Sequence, residues 1–372
     1  MSRAVGMNSL AVHFPRTVRP NDYWVEKHPS MVASAEQKTL AKLWSAEHDK
    51  TLSSEAFDRE MEPHLGDPFR GMVERRVLLP GETALSIQVP AARAALEAAG
   101  LKPSDIDLTI VSTFYADKLD TGNAPYVAGA LGVQGTAFNL ETACSSSVVA
   151  FHTACGLLQA GMYRRALVVI ACSYSHVTDE ADTLAWSSGD AAGAFVVGDL
   201  LDGEGILAQV SEHTAETCGA FYTEIEVIPT TPSGLRMRAN PAAGKVLRDT
   251  SATHLQSCCE GAARAAGVSI GDIDFFIFNT PTAWFHKFAA RVLGIETKRT
   301  ISTTRLYGNI GPALMPANLY HAAHEGRIKK GDLIMLYAVG SVSSASAVVM
   351  RWGDVALGPP PAPPLRPGLV PE

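Results

Sequence analysis

The chain has 372 residues, 47% hydrophobic and 19% charged, with Lys+Arg 31 against Asp+Glu 38 and a formal net charge of −7. At about 100 to 200 residues per domain this gives room for two domains or one large duplicated one, and it excludes a disulfide-rich miniprotein, a collagen and a wholly disordered chain. Without a cluster of Lys and Arg to neutralise phosphates, it also excludes a nucleic-acid binder.

In chain order, Met1-Ser2-Arg3-Ala4 lacks the apolar core of a signal peptide, and no apolar run approaches the roughly 18 residues of a membrane span. Cys144, Cys155, Cys172, Cys218, Cys258 and Cys259 form no C-x-x-C pair, which suits free thiols in a reducing compartment. A cytoplasmic protein with no membrane partner is expected. Residues 22–70 are charged and patterned as short surface helices broken at Pro29, Pro63 and Pro68, like a lid or added cap. Further on, the short apolar runs Leu108–Phe114, Leu167–Ser173, Ala194–Val197, Phe275–Phe278, Leu333–Tyr337 and Ala345–Met350 predict buried strands. Ala91–Ala99, Cys144–Ala160, Gln256–Ala266 and Pro312–His324 predict helices between them. Gly189–Ala194 lacks both a Walker lysine and dinucleotide spacing, so it reads as a tight turn entering a strand. Residues 218–247 form a polar excursion in which Lys245 and Arg248 suit either a phosphate or solvent. The last segment, with Pro359, Pro360, Pro361, Pro363, Pro364, Pro367 and Pro371, reads as a loose, polyproline-like tail.

Two landmarks recur at nearly one spacing. Ala91-Ala92-Arg93-Ala94 with Asp105-Ile106-Asp107 is echoed by Ala262-Ala263-Arg264-Ala265 with Asp272-Ile273-Asp274, the triplets lying 167 positions apart (105 to 272). The helix leading into Arg164–Ile170 is matched by that leading into Lys329–Met335 at an offset close to this. A duplicated α/β unit follows: an N-terminal half over 1–200 with the 22–70 insertion, a C-terminal half over 201–353, and a tail over 354–372.

Cys144, in Glu141-Thr142-Ala143-Cys144-Ser145-Ser146-Ser147, stands between the strand-like Ala137–Leu140 and a helix. Unpaired N–H groups and the helix dipole at such a turn favour a thiolate, so a lowered thiol pKa is expected. The repeat places Cys144 opposite Gly311, in Tyr307-Gly308-Asn309-Ile310-Gly311-Pro312, which makes Asn309 a site candidate from symmetry.

These residues carry a resemblance. Arg75-Arg76, Thr142-Ala143-Cys144-Ser145-Ser146-Ser147, Gly189–Ala194, Gly308-Asn309 and Val339-Gly340-Ser341 fall in the order of the thiolase-superfamily condensing enzymes, and the chain resembles most closely the ketoacyl-acyl-carrier-protein synthase III group over about residues 70–353. The resemblance implies a duplicated αβαβα, five-layer thiolase-like fold, a homodimer, and an acyl donor that is a coenzyme A or phosphopantetheinyl acyl-carrier-protein thioester, with no permanently bound cofactor. It implies Cys144 as acyl-accepting nucleophile, Asn309 as the residue orienting the acceptor, and the amides of Cys144 and Ser341 as oxyanion hole. Arg75, Thr282 and Trp284 become candidates for holding the donor.

One catalytic position departs from the pattern. Where synthase III enzymes carry His-Gln-Ala-Asn, this chain has Asn279-Thr280-Pro281-Thr282. A carboxamide donates hydrogen bonds but accepts no proton near neutral pH, so His286 and His176 are the candidates for a substitute base. His152 reads as core, and His321 with His324 as packing or surface residues without the company that a metal site needs. The expectation is an acyltransferase of specialised metabolism passing the acyl group from Cys144 to a hydroxyl, amine or carbon atom of a small-molecule acceptor. The alternatives are a decarboxylative carbon–carbon condensing enzyme and a scaffold subunit paired with a second thiolase-fold chain.

Overall fold

The computed structural model of the protein describes residues 3–43, 52–226, 234–341 and 343–365. The first sheet and its helices run, in chain order, β1 (Val5–His13), α1 (Ala84–Ala98), β2 (Leu108–Phe114), α2 (Ala124–Leu131), β3 (Thr136–Asn139), α3 (Ser146–Gln159), β4 (Ala166–Ser173) and β5 (Asp190–Asp199). The second set is β6 (Gly205–His213), α4 (Ala243–Ala265), β7 (Phe275–Phe278), α5 (Phe285–Leu293), α6 (Leu314–His324), β8 (Leu333–Val339) and β9 (Ser344–Arg351), followed by the short β10 (Ala356–Leu357).

The sheets share one topology. The first has the order β10-β1-β5-β4-β2-β3 and the second β7-β8-β9-β6. In each, two antiparallel pairings lead to a parallel one: β1 with β5, β5 with β4 and β4 with β2, against β6 with β9, β9 with β8 and β8 with β7. β2 and β7 begin at Leu108 and Phe275, and β4 and β8 at Ala166 and Leu333, so both pairs are offset by 167 residues. Helices α1 and α2 cover the outer face of the first sheet, α4 and α5 that of the second, and α3 and α6 lie between the sheets. This is the five-layer αβαβα arrangement that the resemblance implied.

Burial explains which strands the sequence announces. β4 is buried at every position and β8 likewise, because a strand covered by helices on both faces reads as a continuous apolar run. β6 alternates between half-buried and exposed positions, as an edge strand does, and β1 is interrupted by Asn8 and Ser9. Neither shows as an apolar run.

The insertion is closed by a short ladder in which Thr17–Pro20 pairs antiparallel with Glu74–Val77. Between these strands lie helices Asn21–Lys27, Pro29–Leu43 and Leu52–Met61. The last docks on α4 and α5 through Arg248 to Asp58 at 2.7 Å and Arg291 to Glu60 at 2.6 Å. Arg248 is therefore half-buried and held by a carboxylate, while Lys245 is exposed to solvent and pairs with Asp249 at 2.6 Å. The C-terminal segment is also not loose as far as Leu365: Gly358 N–H donates to Leu10 at 2.8 Å, Leu365 N–H to Arg16 at 2.7 Å, and Arg76 to the Ala362 carbonyl at 3.4 Å. Residues 366–372, with Pro367 and Pro371, lie outside the described residues.

Candidate active site

Cys144 is the middle residue of a single 3₁₀ turn, Ala143–Ser145, between β3 and α3. Ala143 has φ 55°, a left-handed conformation that costs a residue with a Cβ about 1–2 kcal/mol. The turn is pinned from both sides. Ser145 Oγ donates to the Thr142 carbonyl at 2.6 Å and lies 2.9 Å from Ser344 Oγ, while Thr142 N–H donates to Ser146 Oγ at 2.8 Å. Gly340, in the turn between β8 and β9, lies so close that a Cβ there would stand 2.3 Å from the Thr142 carbonyl oxygen.

The second half repeats this turn as Gly311–Ala313, where Gly311 has φ 53°. The matching left-handed residues are Ala143 and Gly311, so the counterpart of Cys144 is Pro312, one position beyond the Gly311 expected from the repeat. The stretch from strand start to turn is one residue longer in the second half (275 to 311 against 108 to 143).

The thiol does not behave as expected of a helix terminus. Cys144 is 8% exposed, and burial pushes its thiol up to about 11 against the opposing effect of a hydrogen bond with Tyr174. Loss of solvation outweighs the dipole of one short turn. At neutral pH the Cys144 side chain is therefore a thiol, whereas the sequence led to a thiolate.

Asn279, directly after β7, ties the two turns together. Its Nδ2 donates to the Cys144 carbonyl at 3.0 Å and to the Gly311 carbonyl at 2.9 Å. This fixes the orientation of the carboxamide, because a flipped group would set its oxygen against two carbonyl oxygens. Both N–H protons are thus engaged with backbone. Asn309 Oδ1 accepts from Gly311 N–H at 2.9 Å, and Asn309 N–H and carbonyl pair with Ser187 and Gly189. The Nδ2 of Asn309 and the amides of Cys144 and Ser341 have no hydrogen-bond partner among the described residues, and all three residues line one cavity.

That cavity has a volume of about 530 Å³ and is walled largely by apolar and aromatic side chains, among them Phe57, Phe69, Phe114, Trp186, Phe221 and Trp284. The insertion contributes Ala35, Phe57, Pro68, Phe69 and Arg70 to it. Thr282 and Trp284 are also in the wall, the Thr282 hydroxyl buried without a partner and Trp284 edge-on to Phe57 at 4.5 Å. Among the described residues its ionisable lining groups are Arg70, Cys144 and Tyr174. Arg70 donates to the carbonyls of His64 at 3.1 Å and Leu65 at 2.9 Å.

Three sequence candidates lie elsewhere. Arg75 is 0% exposed, its guanidinium stacked over Trp24 and Phe69 and bonded to the Trp186 carbonyl and Asn21. It braces the insertion against the core and presents nothing to a donor; burial pushes it down to about 9. Arg76 is likewise buried at 4% exposure. His286 follows the cavity-lining Phe285 but is outside the lining, its Nδ1 buried without a partner and its ring pushed down to about 4 by burial. His176 is outside it too, two residues beyond Tyr174 in the turn that follows β4. Neither imidazole is part of the wall that Cys144 shares.

The residue missed from the sequence is Tyr174, whose hydroxyl is 3.9 Å from Cys144 Sγ. Its position carried the signal. β2, β3 and β4 are parallel and end on one edge, where Cys144 follows β3 and Tyr174 follows β4.

The family model described as 3-oxoacyl-[acyl-carrier-protein] synthase III matches residues 138–214, and the model of its C-terminal part matches residues 263–352. The β-ketoacyl-[acyl-carrier-protein] synthase III of Chelativorans sp. is 33% identical over 291 residues, covering 76% of this chain and 88% of that protein. The enzyme of the same name from Sinorhizobium medicae is 34% identical over 291 residues, with the same coverage. Among solved structures, 3-oxoacyl-[acyl-carrier-protein] synthase III from Aquifex aeolicus superimposes with a TM-score of 0.75 at 23% identity, over 94% of this chain and 100% of that one. Cerulenin-bound OleA from Xanthomonas campestris gives 0.75 at 22% identity, over 94% and 98%.

Proposed function

The chain belongs to the 3-oxoacyl-[acyl-carrier-protein] synthase III family, whose members are acyl-transferring condensing enzymes with an acyl-cysteine intermediate, and from this premise we propose that it is an acyltransferase built around Cys144. The sulfur takes an acyl group from a coenzyme A or acyl-carrier-protein thioester and passes it to a hydroxyl, amine or carbon nucleophile of a small acceptor. The amides of Cys144 and Ser341 receive the carbonyl oxygen as it gains charge, each such donor being worth roughly 10²–10³ in rate. The free Nδ2 of Asn309 is left to orient the acceptor. The largely apolar, aromatic wall favours an acyl group with a sizeable hydrocarbon or aromatic body.

The observation that carries this reading is Asn279. With both N–H protons on the Cys144 and Gly311 carbonyls, it accepts no proton and has no donor left for the enolate that malonyl decarboxylation generates. Transfer of a ready-made acyl group needs no such enolate. The named relatives favour a second reading, decarboxylative condensation, in which Asn309 Nδ2 holds the enolate instead. We place the protein in the cytoplasm as a homodimer, by likeness to the same relatives.

Incubation with acetyl-, octanoyl- and benzoyl-coenzyme A, followed by intact mass measurement and peptide mapping, tests the first step. One acyl group on the peptide bearing Cys144 is expected. Acyl-free protein across the panel overturns the proposal.

A further inference from the structure

The geometry points to Tyr174 as a catalytic residue, its hydroxyl relaying the proton between the Cys144 sulfur and the group that leaves or attacks in each half of acyl transfer. This rests on the acyltransferase reading above. The contact of 3.9 Å between the hydroxyl and Sγ is the hydroxyl's one hydrogen bond among the described residues. Tyr174 is 5% exposed and lines the same cavity as Cys144, the space that the thioester enters in this reading.

The ring is held in place from three directions. Phe114 packs edge-on at 5.3 Å. Gly311 also packs close, where a Cβ would stand 3.5 Å from the ring and 2.9 Å from Cys172 Sγ. The next residue, Ser175, is anchored through its N–H to the buried Asp190 carboxylate at 2.9 Å, and Asp190 also accepts from Leu78 N–H at 2.7 Å. Asp190, in the Gly189–Ala194 motif, thus positions the turn that carries the phenol.

The chemistry needs no charged base. In acylation Sγ attacks the thioester carbonyl carbon and the carbon–sulfur bond to the carrier breaks. The Sγ proton passes to the phenol oxygen while the phenol proton passes to the departing sulfur, giving acyl-Cys144, a carrier thiol and an unchanged tyrosine. In transfer, the acceptor O–H or N–H attacks the acyl carbon, and its proton returns through the phenol to Sγ as the carbon–sulfur bond breaks. The ionisable groups facing the phenol are Cys144, Cys172 and Tyr115, and burial raises all of them and Tyr174 itself, so each is neutral at pH 7 and the phenol keeps both a proton to give and a lone pair to receive.

The test is the single-turnover rate of Cys144 acylation by octanoyl-coenzyme A, followed by quenched intact mass from pH 6 to 9, in wild type, Tyr174→Phe and Tyr115→Phe. Relay predicts a wild-type rate nearly independent of pH. It predicts a rate lower by about 100-fold or more at pH 7 in Tyr174→Phe, climbing about tenfold per pH unit because only the rare thiolate then reacts. Tyr115→Phe stays within about twofold of wild type, and an unchanged melting temperature for Tyr174→Phe separates chemistry from folding. A wild-type rate that itself climbs tenfold per unit overturns the relay without any variant. Equal rates and pH profiles in wild type and Tyr174→Phe overturn it while leaving the acyl-enzyme intact. No adduct on wild type with any donor removes the acyltransferase reading and the relay together.

Discussion

The turn at Ala143–Ser145 and the turn at Gly311–Ala313 have the same backbone and opposite duties. Each begins with a left-handed residue and opens a helix that lies between the two sheets. The first carries a cysteine, the second a proline, and the second turn returns a carbonyl to the Asn279 side chain and leaves room for the Tyr174 ring. Duplication thus supplies a frame twice, and only one copy of it carries a thiol.

The sharpest break in this comparison is Cys144→Ala, which is expected to abolish acylation, read by intact mass, with a melting temperature within a few degrees of wild type. A residual adduct in that variant would move the nucleophile elsewhere. Next comes Asn279→Asp, which keeps the shape but sets a carboxylate against the Cys144 and Gly311 carbonyls. Two charge-free hydrogen bonds are lost and a buried carboxylate faces two carbonyl oxygens, of which that of Gly311 keeps the Leu314 N–H, so urea unfolding is expected to show a loss of about 3 kcal/mol. A variant as stable as wild type would show that Asn279 does not tie the turns together.

The smallest effects come as a pair of opposite sign. Gly311→Ala introduces a Cβ at positive φ against Cys172 and is expected to cost about 2 kcal/mol. Ala143→Gly relieves the same backbone conformation, partly offset by a more flexible unfolded chain, for a gain of about 0.5 kcal/mol in the same assay. Equal signs would mean that the two turns are not equivalent in their strain.

The large features were legible because they are periodic or covalently local. The repeat, the buried strands and Cys144 at its strand-to-helix turn are all readable along the chain, and the resemblance supplied the five layers. Other features depend on which residues converge in space. Tyr174 and His176 are two positions apart, and a search for a base favours imidazole by residue type, yet it is the tyrosine that directly follows the strand and reaches the sulfur. Arg75 belongs to a motif of the right order but is sealed by Trp24 and Phe69 from the insertion, which nothing local to Arg75 reveals. The thiol was misjudged for the same reason. A helix terminus is visible in sequence, but the burial that outweighs it comes from residues far along the chain in both halves, Phe114, Tyr174, Asn309 and Val339 among them.

The central claim is that Cys144 delivers a ready-made acyl group without decarboxylation. The measurement that meets it most directly is CO₂ released per acyl group discharged, when octanoyl-loaded protein is mixed with isotopically labelled malonyl-coenzyme A in the presence of a panel of alcohols and amines. The account predicts discharge to an alcohol or amine with no labelled CO₂. One CO₂ per acyl group lost, with a β-ketoacyl thioester as product, would contradict it and make the protein a condensing enzyme that works without the histidine.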